Sequence, residues 1–327
     1  MFARNVRITA LILVTCLSLV GFRRWSSRQG VKPAPASQAS EPAKPPASAN
    51  DGYGPPRKLA NLKDPAVNES SGIVASRTTP GLYWTHNDSG DGPFIYAFDI
   101  RGTRRGVWRV TGAEAHDWES ISAGPGSERD KNYLYIGDIG DNDERRSHIE
   151  VYRVVEPTIS ETDASATKSR PQLTQPAEMI RLRYPDGKYD AEALLVHPRT
   201  GDLYIVTKQP FANPRVYKAT APLQLTKQTT LEFVAELSVP DLLGGMITDG
   251  DISPNGCRVA LCDYLQGYEL VLPDCQSAFD TIWKQYLNPI ALGARPQGEA
   301  IGYRLDGKAL LATSEGASPP LIQVVHR

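Results

Sequence analysis

Glu69-Ser70-Ser71-Gly72-Ile73-Val74 runs through the turn Pro80-Gly81 into Leu82-Tyr83-Trp84-Thr85-His86-Asn87-Asp88. An acid, a short apolar run, a Pro/Gly turn and a second apolar run describe a hairpin of short strands. The same arrangement recurs at Glu119-Ser120-Ile121-Ser122, Glu192-Ala193-Leu194-Leu195-Val196, Asp249-Gly250-Asp251-Ile252-Ser253 and Glu299-Ala300-Ile301-Gly302-Tyr303. Each opening is followed by its own turn and a second run, YLYIGDI (133–139), LYIVTK (203–208), RVALCD (258–263) or ALLATSE (309–315).

A third run follows in every unit: FIYAFDI, IEVYRVV, RVYKATA, YELVL and LIQVV. A fourth follows in most, GVWRVTG, MIRLRY, LEFVAEL and PIALG, but the last unit ends at Arg327 without one. Arg57-Lys58-Leu59-Ala60-Asn61-Leu62 precedes the first unit and can complete the last. The unit starts lie 50, 73, 57 and 50 residues apart. Internal repetition at this period predicts an all-β propeller of five four-stranded blades over 57–327, closed by its N-terminal strand. Six blades is the alternative if the polar excursion at 158–175 hides a diverged unit. The stretch SAFDTIWKQYL (277–287) reads as a short helix. A β-sandwich accounts for the strands but not for the repeat.

The propeller has a geometric consequence. Equivalent positions in successive blades form a ring, so Glu69, Glu119, Glu192, Asp249 (or Asp251) and Glu299 are expected at one tunnel mouth. Second strands run antiparallel to first strands, so their ends, Asp88, Asp138, Lys208, Asp263 and Glu315, reach the same mouth, with Asn87, Asp141 and Asn142 in nearby loops. Carboxylates at this density must bind a cation, take up protons or pair with a base such as Lys208. An all-oxygen set favours a hard cation, Ca²⁺ before Mg²⁺. The competing reading makes each acid a latch that accepts hydrogen bonds from the neighbouring blade. His116 and Asp138 are candidate proton-transfer groups, and His86 is a weaker one. No Gly-x-Ser-x-Gly elbow and no phosphate-binding glycine loop occurs. The aromatics Tyr83, Trp84, Tyr96, Tyr133, Tyr135, Tyr152, Tyr204 and Tyr217 are expected to pack between blades.

The two ends and the cysteines bear on location. Arg4 and Arg7 precede an uncharged stretch of 15 residues (8–22), and Arg23 and Arg24 follow it. This reads as a signal peptide or signal anchor over 1–24, short for a membrane span. A Pro/Ala/Ser-rich linker over 25–56 follows, a composition that cannot build a core. The expected location is therefore extracytoplasmic: periplasmic, secreted or anchored through 8–22. Cys257 and Cys275 flank the Arg258–Asp263/Tyr268–Leu272 hairpin, and a turn at 265–267 would place them opposite each other as a candidate disulfide. The alternative is three unlinked thiols. With 36 basic and 37 acidic side chains, the balance gives no reason to expect nucleic acid as partner.

THNDSGDGPFIYAFD (85–99), DWESISAGPG (117–126), YLYIGDIGDND (133–143), YDAEALLVHPRTGDLYIVTK (189–208), DGDISPNGCRVAL (249–261) and PQGEAIGY (296–303) together resemble a group of uncharacterised bacterial exported β-propellers. The resemblance implies a propeller and brings no reaction with it. More distantly, ESSGIVASRTTPGLYW (69–84) is similar to the gluconolactonase-like propellers, in which Glu69 would take a metal-ligand position, and the pattern is also similar to the phytase-like esterases. The first expectation is thus a module binding a small molecule or protein at a cation-supported acidic mouth. The alternatives are a calcium-dependent hydrolase of esters, lactones or phosphate esters, and a protein-interaction scaffold with a structural acidic ring.

Overall fold

The computed structural model describes residues 52–210, 212–239 and 245–327. The expected export segment and most of the linker, 25–51, lie outside these residues. The described chain forms five blades, each with four antiparallel strands in sequential order. Blade one holds Ser70–Ala75, Leu82–Asn87, Phe94–Asp99 and Arg104–Arg109. Blade two holds Trp118–Pro125, Asn132–Asp138, Ile149–Val155 and Glu178–Arg183. Blade three holds Ala191–Val196, Leu203–Thr207, Arg215–Ala219 and Glu232–Glu236. Blade four holds Asp249–Ile252, Arg258–Cys262, Gly267–Val271 and Asn288–Ile290. Blade five holds Gly298–Tyr303, Ala309–Ser314 and Pro320–Val325, and takes Arg57–Asn61 as its outer strand.

The N-terminal strand thus closes the ring, and the contact starts earlier still, with Tyr53 bridged to His326. Innermost strands lie against their neighbours all the way round, the fifth against the first. The core follows the same geometry. Each of five apolar clusters fills the space between two adjacent blades. The eight aromatics expected between blades are all buried. Tyrosines at one register position of the third strand, Tyr96, Tyr152 and Tyr217, bury their rings and donate their hydroxyls to Asp91, Glu150 and Asp186. This gives each ring its apolar burial without stranding its polar end.

The excursion at 158–175 hides no sixth blade. It makes a 3₁₀ turn at Glu161–Ser165 against the outer strand of blade one, and Gln172–Leu173 pairs in parallel with that strand. Thr229–Thr230 covers the outer edge of blade two in the same way. Both additions hide backbone groups that an open edge would expose. The expected helix at 277–287 is a 3₁₀ turn, Phe279–Lys284, anchored by buried Ile282 and Trp283. Among the described residues no helix is long and apolar enough to cross a membrane.

Cys257 and Cys275 are bonded, with Cα atoms 5.1 Å apart, and Cys262 is a buried free thiol. The register leading to the bond differs from the sequence expectation by three residues. Leu261 faces Tyr268 and Val259 faces Leu270, because the Asp263 carboxylate accepts from the backbone N–H of Leu265 and Gln266 and closes the turn earlier. Cys257 accordingly pairs with Leu272, and the chain bends back after it to bring Cys275 within reach.

Candidate functional site: an acidic tunnel mouth

Strand register defines the ring. In four blades the first hairpin slips by one residue, and the extra residues are Ser71, Glu119, Glu192 and Glu299. In blade four both Thr248 and Asp249 face Cys262, so Asp249 takes the same place. A bulge of this kind bends the strand and re-aims its side chain. The ring position in blade one is therefore Ser71, and Glu69 lies two residues upstream, level with Asp117 in blade two and Asp190 in blade three. Sequence spacing aligned Glu69 with the ring because it is the acid that precedes the apolar run.

Several expected site acids are engaged by the fold itself. Asp249 accepts from Ser120 Oγ of blade two at 2.8 Å and from the Ile301 N–H of blade five at 3.0 Å. Asp138 is fully buried and accepts from the backbone N–H of His116 and Asp117 and from Arg146 Nη1 at 2.7 Å. Asn87, at the equivalent position of blade one, accepts in the same way from Asn68 and Glu69. Asp263 is taken up by its own turn and the Tyr268 hydroxyl, and Asp141 by the N–H groups of Arg145 and Arg146. Asp249 thus ties blades together, and the others brace the loops of their own blades.

In a second set the acids crowd one another, with Asp88 accepting from the backbone N–H of Ser89. Ligand oxygens of Asp88, Asp117 and Glu119 all lie within 4.8 Å of one another. Glu119 is 4% exposed, and its carboxyl is held well above the usual glutamate range by burial and then by the charge of Glu192. Glu192 is 5% exposed and is raised likewise by burial, partly offset by Lys208. Lys208 bonds Glu192 Oε1 and sits 5.2 Å from the centre of the Tyr264 ring. Burial opposes its charge most strongly of any single cause, but Glu192 and Tyr264 together more than offset burial and favour the protonated ammonium. Glu192 Oε2 is buried with no partner among the described residues.

The surrounding acids feel the same field. Burial and Asp88 push Asp117 up to about 6. Burial and Asp88, then Glu69, push Glu315 up to about 7. Burial raises Glu299 to about 8, although Gln297 donates to it at 2.9 Å. Asp88 and Asp190 are raised too, chiefly by burial. A cavity of about 610 Å³ opens beside the cluster, lined by Asp117, Gly140 and Asn142 as well as His116, Arg146 and His148. Gly140 packs so closely that a Cβ there would fall 2.4 Å from both Asp117 Oδ2 and Glu119 Oε1. His116 stands half exposed at the cavity wall, 3.3 Å from Asp138 and 3.5 Å from Glu114. His86, by contrast, is fully buried, and burial lowers it to about 4, which leaves it neutral.

Asp117 completes the cluster, and Asp190 nearby accepts from the Asp141 N–H of blade two at 2.8 Å; the sequence singled out neither as a ligand. Their signal is the recurring acid-x-Glu of Asp117-Trp118-Glu119 and Asp190-Ala191-Glu192, legible only once the bulge fixes which acid is the ring residue.

No protein-family model matches the chain, and no curated protein matches it. Among solved structures, a chain of "Crystal structure of Nidogen/Laminin Complex" is similar, with 13% identity, a TM-score of 0.40 and coverage of 76% of this chain and 72% of that one. A likeness at that level carries no argument, and the propeller rests on the strand pairing above.

Proposed function

We propose that the chain is an extracytoplasmic binding propeller whose acidic mouth holds a hard divalent cation, Ca²⁺ before Mg²⁺, and presents it to a ligand in the adjoining cavity. The observation that carries this reading is the buried, unpartnered Glu192 Oε2 beside Glu119. A buried carboxylate oxygen without a donor is costly, and a cation bound by oxygen ligands removes that cost. Asp88, Asp117 and Glu119 supply three oxygens at a spacing one ion can span. The Cys257–Cys275 bond supports an oxidising compartment.

Thermal melting tests this. A chelator lowers the melting temperature of the wild-type chain and calcium restores it, because an ion that binds only the folded state stabilises it. Glu119→Gln removes one buried charge, so the metal-free variant melts higher than the metal-free wild type, by about 2–4 °C if the gain is about 1 kcal/mol. The same variant loses the calcium response. Melting curves indifferent to chelator and calcium in the wild type would sink the reading.

One observation favours a second reading, a metal-dependent hydrolase. Asp117, pushed up to about 6, faces both the cluster and the cavity and can exchange a proton near neutrality. Ester, lactone and phosphate-ester turnover that is calcium-dependent and lost in Asp117→Asn would select it over simple binding.

A further inference from the structure

Blade two departs from the repeat beside the mouth. Its second strand ends on Asp138, where the other blades end on Asn87, Thr207, Cys262 and Ser314. Strand pairing sets Asp138 directly opposite Glu150 of the third strand, and the two are 0% and 7% exposed. Like charges facing each other across a ladder oppose its pairing. Four blades are built without an acid at the Asp138 position, so the propeller itself does not call for this pair.

His116 joins the pair from the loop ahead of the first strand. One ligand atom each from His116, Asp138 and Glu150 lies within 4.8 Å of the others. His116 Nδ1 stands 3.3 Å from Asp138 Oδ2. A charge-assisted hydrogen bond closes to about 2.7–2.9 Å. The observed spacing instead matches the separation of about 3.3 Å between two ligands of one tetrahedral zinc ion.

Each of the three side chains is also held from outside. His116 turns Nε2 to Glu114 Oε2, 3.5 Å away. Asp138 accepts from Arg146 at Oδ1, and Glu150 accepts from the Tyr152 hydroxyl at Oε2. Arg181 Nε and His148 Nε2 lie 3.3 Å and 3.5 Å from Glu150 Oε1. Metal-ligating histidines turn their other nitrogen to a carboxylate in this way, and ligating carboxylates are themselves hydrogen-bonded. His116 and Glu150 line the cavity of about 610 Å³ that Asp117 also lines.

We propose that His116, Asp138 and Glu150 form a transition-metal site, with zinc as its preferred ion and a fourth position open to the cavity. An imidazole nitrogen beside two carboxylate oxygens suits zinc, whereas calcium takes oxygen ligands alone. Three protein ligands with one open position let zinc take up water or an oxygen of a bound ligand. The site shares no ligand with Asp88, Asp117 and Glu119, and it stands whether or not that cluster holds calcium.

Zinc titration calorimetry on the full chain in saturating calcium tests this, with native mass spectrometry to count bound ions. The wild type is expected to bind one zinc. His116→Ala keeps the backbone N–H that Asp138 accepts, and is expected to weaken zinc binding at least tenfold. Glu114→Gln is expected to weaken it about tenfold by releasing the ring. Glu150→Gln removes a second ligand with little change of shape and should weaken it likewise, whereas Glu119→Gln should still bind one zinc. No zinc on the wild type, or equal zinc affinity in wild type and His116→Ala, overturns the assignment. Loss of the zinc in Glu119→Gln would place the ion in the acidic cluster and overturn it as well. A chain that binds this zinc but no calcium overturns the calcium reading above and leaves the zinc site standing.

Discussion

At the scale of single residues, the mouth separates two kinds of buried acid that look alike in sequence. Asp249 and Asp138 accept hydrogen bonds from neighbouring elements, whereas Glu119 and Glu192 lack enough donors. The difference predicts a pH dependence. Asp117, Glu315 and Glu299 are raised in the folded state to about 6, about 7 and about 8, from ordinary values of 3.8, 4.5 and 4.5. The folded chain therefore binds more protons than the unfolded chain between those limits, and stability falls as pH rises through that window. The metal-free melting temperature should decline from about pH 5 to about pH 8, and saturating calcium should flatten or reverse the decline by displacing those protons. A metal-free melting temperature that climbs over this range contradicts the assignment.

At the scale of elements, the hairpin bulge is the device that makes the site. By inserting Glu119, Glu192 and Glu299 as extra residues it turns them toward the mouth, and Asp117 and Asp190, two positions before the first two, arrive beside them. The acids were legible in the sequence, since they recur before each apolar run. Their register was not, because a one-residue bulge leaves no mark on hydrophobic spacing, and Glu69 was aligned with the ring on that account. The Cys257–Cys275 hairpin teaches the same lesson: the turn residue Asp263 moved the pairing by three positions, yet the bond forms because the chain bends back beyond it. The two cysteines are 18 residues apart in sequence, so Cys257→Ala with Cys275→Ala should cost about 3 kcal/mol. Denaturant unfolding of the double variant measures this, and a midpoint equal to that of the oxidised wild type would show the bond to be idle.

At the scale of the whole molecule, closure and inter-blade packing hold the ring on which the mouth depends. The blade count was legible because each blade repeats the same four runs, and the missing fourth run of the last unit pointed to the N-terminal strand. What the repeat could not show was how blades are tied to each other by single buried acids. Glu156, 3% exposed just past the third strand of blade two, accepts from Trp84 Nε1 at 2.8 Å and from the backbone of Arg77 and Thr78 in blade one. Deleting residues 1–61 removes the closing strand and the Tyr53 hydroxyl bonded to Glu269, and strips cover from the buried Leu62. That truncation should lower the melting temperature by about 10 °C or more relative to one deleting only 1–51. Equal melting temperatures would mean that the ring does not need its closing strand. The mouth itself is tested most directly by a crystal structure of the full propeller grown with calcium. The account predicts a calcium ion about 2.3–2.6 Å from carboxylate oxygens of Asp88, Asp117 and Glu119. Well-resolved carboxylates with no ion among them, at saturating calcium, would contradict it.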